Sequence, residues 1–296
     1  MSAPFDCVVV GGGAAGLTAA LYLARFRRRA MVFDTGASRA RWIPHSRNLP
    51  GFPEGLGGQD LLDRLAAQTN GYGVKIHKAR VTQVERKDVG FVVRWGDEQW
   101  RARTVLVATG VVDTIPPLPG MAEAIQRGLV RVCPICDGYE ARDRSIGVLG
   151  DGDHAAREAL FLRTYSAATT LVLTPDGALS PERQQALAEA QIAVRRCALD
   201  RLDLNHDHAA LHQDGLDGLR FDTLYAAFGV TPQVKLIRDL GLPLAEDGRI
   251  MTDAHQETAM PGLFAAGDVV RGLNQICVAE GEAAIAACAI HNRLKG

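Results

Sequence analysis

The sequence contains no long apolar segment and no excess of charge of either sign. No hydrophobic run approaches the roughly 18 residues that a membrane-spanning helix needs. With 33 Lys and Arg against 34 Asp and Glu, the formal net charge is −1. This balance provides no electrostatic reason to expect a nucleic acid or an anionic membrane as a partner. The first residues carry no basic stretch, so we expect no signal peptide and a cytoplasmic location.

Cysteines are also few. Six among 296 residues are too sparse for a secreted disulfide scaffold. Cys133 and Cys136 form the one close pair, and in a reducing compartment such a pair is more often catalytic or metal-binding than structural. A zinc site needs further ligands, and His206, His208 and His212 fall in a region of strands and turns. We therefore predict no metal site.

What the chain does contain is ordinary globular composition, with 47% hydrophobic and 23% charged residues. Its length predicts about two domains. The first part reads as a strand over Phe5–Val10, a glycine-rich turn over 11–16, a helix over 17–26 and a strand over Ala30–Asp34. Strand-like runs across 80–110 then predict a β-meander.

The same pattern returns in the second half of the chain. A strand over 145–149 leads into a glycine-rich turn over 150–155, a helix over 156–165 and a strand over 169–174. A second meander follows across 192–229. Two copies of one nucleotide-binding plan thus account for the length.

The tail is predicted to return to the first copy. It reads as a strand near 263–268 and an Ala-rich helix over 278–293. We therefore predict an α/β fold of two Rossmann-like, three-layer ββα domains, each with a β-meander. The first comprises 1–113 and 247–296, and the second, 114–246, is inserted into it.

The first glycine motif has the features of a dinucleotide site. Gly11 allows a tight turn, Gly13 allows a pyrophosphate to approach the backbone, and Gly16 allows the helix to pack closely on the strand. Asp34 follows at the end of the second strand, where an acid binds a ribose hydroxyl.

The second motif is less clear. Gly150, Gly152 and Ala155 form a GxGxxA variant that also carries two acids. After the next strand no Arg or Lys precedes Arg183, so we expect no cationic cluster for a 2′-phosphate, although Asp176 could accept from a free 2′-hydroxyl. Both a working nicotinamide nucleotide site and a vestigial copy of the fold remain open.

The CxxC segment predicts thiol chemistry. Pro134 suits the first position of a short helix, which Cys133 would cap and whose first turn would include Cys136. Helix-terminal amides lower thiol pKa values, so we predict a reversible disulfide.

Several motifs, in this order, resemble those of the low-molecular-weight thioredoxin reductase family of FAD-dependent disulfide oxidoreductases. The motifs are GGGAAG at 11–16, NLPGF at 48–52, ATG at 108–110, CPICDG at 133–138, FAAGD at 264–268, and Gln275.

The resemblance implies FAD as cofactor and a homodimer. It implies that Asp137 is the acid/base, that Cys136 faces the flavin and that Cys133 exchanges with the substrate. The cofactor-binding residues it implies, together with those read from the first motif, are Gly11, Gly13, Ala14, Ala15, Gly16, Asp34, Asn48, Ala108, Thr109, Gly110, Gly267, Asp268, Gln275 and Ile276.

The chain also departs from the family pattern. The usual His-Arg-Arg run after the second strand is replaced by 174–177, TPDG, and Pro-Ile stands between the cysteines. NAD(P)H and thioredoxin therefore do not transfer with the fold. We expect a flavoenzyme that passes two electrons to a disulfide in a thioredoxin-like protein or small molecule. The alternatives are a dithiol oxidase with O2 or NADP as acceptor, a ferredoxin-dependent enzyme, and a flavin redox sensor without turnover.

Three further features of the sequence support a prediction each. We expect His45 to be a hydrogen-bonded loop histidine, the basic run 25–29 to cap a helix C-terminus, and Cys277 to be a small buried thiol.

Overall fold

The computed structural model describes residues 3–204, 207–212 and 218–295. These form two compact units. The first comprises the described residues of Met1–Arg41, Leu56–Val112 and Thr231–Gly296, and the second those of Trp42–Gly55 and Asp113–Val230.

Helices and strands alternate in both units. The α-helices of the described residues are α1 (Ala14–Arg25), α2 (Gly58–Gly71), α3 (Met121–Gln126), α4 (Pro134–Asp137), α5 (Asp153–Leu162), α6 (Pro181–Glu189) and α7 (Ile276–Arg293). Their strands are β1 (Phe5–Val10), β2 (Ala30–Asp34), β3 (Lys75–Lys78), β4 (Gln83–Arg86), β5 (Phe91–Trp95), β6 (Glu98–Val107), β7 (Val111–Asp113), β8 (Val130–Arg131), β9 (Ile146–Gly150), β10 (Thr169–Leu173), β11 (Ala193–Arg196), β12 (Leu202–Asp203), β13 (Ala209–Leu211), β14 (Arg220–Phe221), β15 (Thr223–Ala227), β16 (Val230–Pro232) and β17 (Leu263–Ala265).

The first unit is built on a seven-stranded sheet. Its order is β3-β2-β1-β6-β5-β4, and β17 pairs with the second half of β6. Strands β3, β2, β1, β6 and β17 are parallel, whereas β4, β5 and β6 run antiparallel and form the predicted meander. The apolar, β-branched sequence of β1 suits a strand that is covered on both faces.

Alternate residues of β1 serve two cores. Cys7 and Val9 lie in a cluster with alanines of α1 and α7, whose small side chains let the two helices approach each other closely. Val8 and Val10 lie in the cluster on the other face, which includes apolar residues of the meander.

The second unit repeats this plan with a five-stranded sheet in the order β11-β10-β9-β15-β8, all parallel. Strands β12, β13 and β14 form a separate antiparallel sheet before the chain returns to β15. The α/β fold with two Rossmann-like units, predicted from the sequence, is therefore confirmed.

Two helices begin earlier than predicted. Helix α1 starts at Ala14 rather than residue 17, and α5 starts at Asp153 rather than residue 156. In both cases the last residues of the glycine-rich turn form the first helical turn. This brings the free amides of the helix N-terminus into the turn itself.

The compact units differ from the predicted domain bounds in two segments. Residues 231–246 belong to the first unit, because Ile237 is buried in the meander-side core and Leu236 and Leu240 pack against it. Trp42–Gly55 belongs to the second unit, where Asn48 contacts the CxxC segment. The assignment of the units as FAD- and nucleotide-binding domains stays a prediction.

Among the residues that the structure describes, no helix is long and apolar enough to cross a membrane.

Candidate active site

The predicted cofactor segments of the first unit lie along one edge of its sheet. The neighbouring parallel strands β2, β1, β6 and β17 end at Asp34, Val10, Val107 and Ala265. Ligands of open α/β sheets bind beyond the carboxyl ends of the strands. The loops that begin at residues 11, 108 and 266 are therefore brought together at the edge where such a ligand sits.

The glycine-rich turn after β1 leaves no room for side chains. Gly11 has φ +112°, and a Cβ there would lie 2.2 Å from the carbonyl oxygen of Ala108. A Cβ on Gly16 would lie 1.8 Å from the carbonyl oxygen of Gly11. Helix α1, capped by Gly13, has no acidic residue in its first turn. Its N-terminal amides and dipole therefore suit a phosphate group.

Asp34 is held against this turn. One carboxylate oxygen accepts from the Gly12 N–H and the other from the Gly36 N–H, both at 3.1 Å. A carboxylate has about four lone-pair positions, so these two bonds leave Asp34 able to accept from a ribose hydroxyl as well.

Asp268 is a second acid, in the loop after β17. Gly267 has φ +84°, and its N–H donates to the buried Glu282 carboxylate at 2.8 Å. The other oxygen of Glu282 accepts from Arg271 Nε at 2.8 Å. Asp268 Oδ2 lies 3.8 Å from Arg39 Nη1. Glu282 thus fixes the backbone of the turn that presents Asp268.

These features fit FAD. The turn after β1 offers backbone amides for a pyrophosphate, and an acid stands at the end of β2 for a ribose. A further acid follows β17. Three other residues predicted to bind the cofactor are Thr109, Gln275 and Ile276. Thr109 Oγ1 donates to the Gln233 carbonyl at 2.7 Å, and Gln275 caps α7, which Ile276 begins. Contact of these residues with a flavin stays a prediction.

The glycine-rich turn of the second unit packs as closely, and it accepts hydrogen bonds from the segment that follows β10. A Cβ on Gly150 would lie 2.4 Å from that of Ala155. The Ala178 N–H donates to the Asp151 carbonyl at 3.0 Å, and the Ser180 N–H donates to Asp153 Oδ1 at 2.9 Å. The latter bond holds the pKa of Asp153 below its usual range.

A cation reaches the loop after β10 from a neighbouring strand. The guanidinium of Arg196, at the end of β11, donates from Nη1 to the carbonyls of Thr174, Pro175 and Gly177 at 3.3, 3.0 and 2.7 Å. Asp176 is exposed in the same loop. The sequence interpretation missed this cation because it considered only residues that directly follow β10.

The CxxC segment forms the predicted cap and helix start. Cys133 is the N-cap of α4, Pro134 occupies its first position, and a disulfide joins Cys133 to Cys136 with a Cα–Cα distance of 5.3 Å. Ile135, between them, is exposed. The helix ends after four residues at Asp137.

Asp137 is held by two side chains that the sequence interpretation did not single out. Tyr225 Oη donates to Asp137 Oδ1 at 2.8 Å, and Arg131 Nη1 lies 3.6 Å from Oδ2. Burial raises the pKa of Asp137 to about 6, although Arg131 and the Tyr225 hydroxyl both lower it. Such a group can exchange a proton near neutral pH.

The segment Trp42–Gly55 contributes a further contact to the CxxC helix. Asn48 Nδ2 donates to the Ile135 carbonyl at 3.4 Å. His45 Nε2 donates to the Glu54 carbonyl at 2.6 Å, which confirms it as a hydrogen-bonded loop histidine.

The remaining expectations have mixed outcomes. Cys277 is exposed, so its prediction as a buried thiol is wrong. It lies near the start of α7 on the side away from the buried alanines. Arg25 ends α1, as expected for the basic run. His206 lies outside the described residues. His212 Nε2 lies 3.6 Å from Asp203 Oδ2.

Comparisons with known proteins agree on the family. Residues 5–283 match the model of the pyridine nucleotide-disulphide oxidoreductase family. Thioredoxin reductase of Treponema pallidum is 29% identical over 97% of this chain and 96% of its own. The bifunctional thioredoxin reductase/thioredoxin of Mycobacterium leprae is 30% identical over 95% of this chain and 64% of its own.

Solved structures show the same relation. The crystal structure of HlmI has a TM-score of 0.89 and 33% identity, and covers 99% of this chain and 93% of its own. Thioredoxin reductase from Streptococcus pyogenes has a TM-score of 0.88 and 27% identity over 100% and 99% of the two chains. The chain therefore belongs to the pyridine nucleotide-disulphide oxidoreductase family, as a flavoprotein thiol–disulfide oxidoreductase that resembles thioredoxin reductase.

Proposed function

We propose that this protein reduces a substrate disulfide with two electrons that pass from FAD through the Cys133–Cys136 pair. The observation that carries the proposal is the disulfide at the start of α4, with Asp137 held in the same helix. A helix N-terminus lowers thiol pKa values, and a carboxyl with a pKa of about 6 can exchange protons beside it.

The first unit would hold the cofactor. The turn 11–16 would bind the pyrophosphate, Asp34 a ribose, and Asp268 the ribityl–phosphate region. When bound, FAD supplies the two-electron exchange with the cysteine pair, and the protein positions it and tunes the thiols.

The cysteines would perform the exchange. With the pair reduced, the Cys133 thiolate attacks one sulfur of the substrate disulfide; a mixed disulfide forms and the substrate S–S bond breaks. Asp137 supplies a proton to the leaving thiolate. The Cys136 thiolate then attacks Cys133, which releases the second substrate thiol and restores the protein disulfide. The substrate gains two electrons and two protons in total.

Relatives named thioredoxin reductase support a thioredoxin-like disulfide as substrate. The cytoplasmic location and the homodimer stay predictions. One observation favours a second candidate. The second glycine-rich turn carries Asp151 and Asp153, whose negative charge opposes a bound pyrophosphate, and this supports a reaction without NADPH. In that candidate a substrate dithiol is oxidised to a disulfide and dioxygen is reduced to hydrogen peroxide.

The cysteine roles are tested with the purified flavoprotein, which we expect to be yellow. In Cys133→Ser the remaining Cys136 thiolate should lie beside the oxidised flavin and produce a long-wavelength charge-transfer band. In Cys136→Ser this band should be absent. Absorbance spectra of the two variants decide the assignment.

The opposite pattern of bands would reverse the roles of the two sulfurs. A folded, colourless protein that FAD does not reconstitute would contradict the proposed function as a whole.

A further inference from the structure

Strand pairing places two polar side chains of the second unit side by side. Arg131 ends β8 and Tyr225 lies in the middle of β15, and the two are direct partners in the parallel register. Tyr225 is fully buried, so its hydroxyl must find a partner inside the protein.

That partner is the last residue of the CxxC helix. The Tyr225 hydroxyl donates to Asp137 Oδ1 at 2.8 Å. Arg131 makes two contacts with the same residue: Nη1 donates to the Asp137 carbonyl at 2.7 Å and lies 3.6 Å from Oδ2. Both carboxylate oxygens and the carbonyl of Asp137 are thus fixed by adjacent strands.

The contacts matter because α4 is only four residues long. A helix this short has little stability of its own, so its orientation depends on tertiary contacts. The Arg131 bond to the Asp137 carbonyl satisfies a free acceptor at the helix C-terminus. Tyr225 and Arg131 therefore anchor the helix that carries the disulfide to the sheet.

The groups around Asp137 act on its charge in opposite directions. Burial disfavours the carboxylate, and so does the negative charge of Glu140 on the following turn. The guanidinium of Arg131 and the hydroxyl of Tyr225 favour it. Without these two partners the pKa of the carboxyl would be higher still.

We propose that Tyr225 and Arg131 are positioning residues that hold the Asp137 carboxyl in one orientation and stabilise its ionised form by a donated hydrogen bond and a neighbouring positive charge. The inference deepens the proposed function, since it rests on Asp137 as the acid/base of disulfide exchange. It extends that site from the CxxC helix to two strands of the sheet.

The direct test is an infrared pH titration of the Asp137 carboxyl in the FAD-loaded protein, with Asp137→Asn used to assign the band. Tyr225→Phe keeps the ring and removes only the hydroxyl. We expect the midpoint to rise by about one pH unit, because a hydrogen bond to the carboxylate is lost.

Tyr165→Phe is the matched control. The Tyr165 ring also packs against this segment, since a Cβ on Gly138 would lie 2.7 Å from it. The Tyr165→Phe variant should leave the infrared midpoint of Asp137 unchanged. Arg131→Gln, which keeps a donor for the Asp137 carbonyl but removes the charge, should raise the midpoint and provides the same test if Tyr225→Phe does not fold.

A kinetic measurement separates this inference from the proposed function. The protein is reduced anaerobically with dithiothreitol, desalted, and mixed with dithiobis-nitrobenzoate as a chromogenic disulfide over a range of pH. The plot of exchange rate against pH should contain a limb, meaning a change of rate centred on the infrared midpoint of Asp137. This limb should move with the midpoint in Tyr225→Phe and disappear in Asp137→Asn.

If the pH–rate profile of Asp137→Asn equals that of the wild type, Asp137 is not the acid/base. The positioning role of Tyr225 and Arg131 is then overturned with it. If Asp137→Asn abolishes the limb but Tyr225→Phe and Arg131→Gln move neither the limb nor the infrared midpoint, only the positioning role is overturned.

Discussion

Both units of this protein have a parallel sheet with a glycine-rich turn after a central strand, but different groups hydrogen-bond to the two turns. In the first unit a side chain does this: the Asp34 carboxylate accepts from the Gly12 N–H. In the second unit a backbone bond and a side chain do it together: the Ala178 N–H donates to the Asp151 carbonyl, and the Ser180 N–H donates to the Asp153 carboxylate. The fold alone therefore does not decide what each turn can bind, because that depends on the groups grafted onto it.

The charge at the helix N-termini differs in the same way. Helix α1 has no acid in its first turn, whereas α5 begins with Asp153, whose carboxylate accepts from the Ser180 N–H. A helix N-terminus favours negative charge. The first unit leaves that charge to be provided by a ligand, and the second provides it from its own chain.

The largest expected effect comes from Gly16→Ala in the first unit. Its Cβ would lie 1.8 Å from the Gly11 carbonyl oxygen, so the turn must open. We expect loss of FAD from the purified protein and a fall in stability of about 3 kcal/mol or more. Flavin content and the urea midpoint measure both.

Gly152→Ala is the comparison in the second unit; it lies in the corresponding glycine-rich turn, at the position equivalent to Gly13. Its Cβ would meet only the Ala178 carbonyl oxygen, at 3.2 Å. We expect full flavin content and a cost of about 1 kcal/mol or less. Equal loss of flavin in both variants would show that the two turns are not functionally distinct.

The next effect concerns the electron donor. We expect NADPH to reduce the flavin slowly and no better than NADH. A 2′-phosphate is normally held by charge-assisted bonds, and losing two of them lowers affinity by about two to four decades. Arg196, which the sequence interpretation missed, lies beside the loop after β10 but already donates to three carbonyls of that loop. Stopped-flow reduction at matched concentrations makes the comparison.

Rapid, saturable reduction at micromolar NADPH with much slower reduction by NADH would contradict this expectation. Arg196→Met then identifies the cause. If Arg196 binds the 2′-phosphate, the variant should lose the preference of the enzyme for NADPH over NADH. If Arg196 only holds the loop, the preference should remain.

A smaller effect is expected from Asp34→Ala. It removes the carboxylate that would accept from the ribose, and one such bond corresponds to about a tenfold to hundredfold loss of FAD affinity. Asp176→Ala changes the exposed acid after β10 and should leave FAD affinity unaltered. Fluorescence titration of the apoprotein with FAD compares the two, and a larger loss in Asp176→Ala would reverse the assignment of the units.

Local patterns in the sequence were sufficient for much of the fold and part of the site. An apolar strand, a glycine-rich turn and an amphipathic helix follow one another within about thirty residues in each unit, so neighbouring residues determine them. The capping of α4 by Cys133 was predictable for the same reason, since Pro134 sets the helix start. The predicted burial of Cys277 failed because helical spacing alone does not say which face of α7 packs on α1.

By itself, the sequence determined the order of elements, the two turns and the cysteine pair, all of which depend on residues close together in the chain. Only the tertiary structure decided that Tyr225, 88 residues beyond Asp137, donates to its carboxylate, and that Arg131 stands beside it. It also decided that Arg196 reaches the loop after β10. The physical reason is that parallel strands pair across long crossovers, so the residues that meet at a sheet edge are set by strand order and register rather than by proximity in sequence.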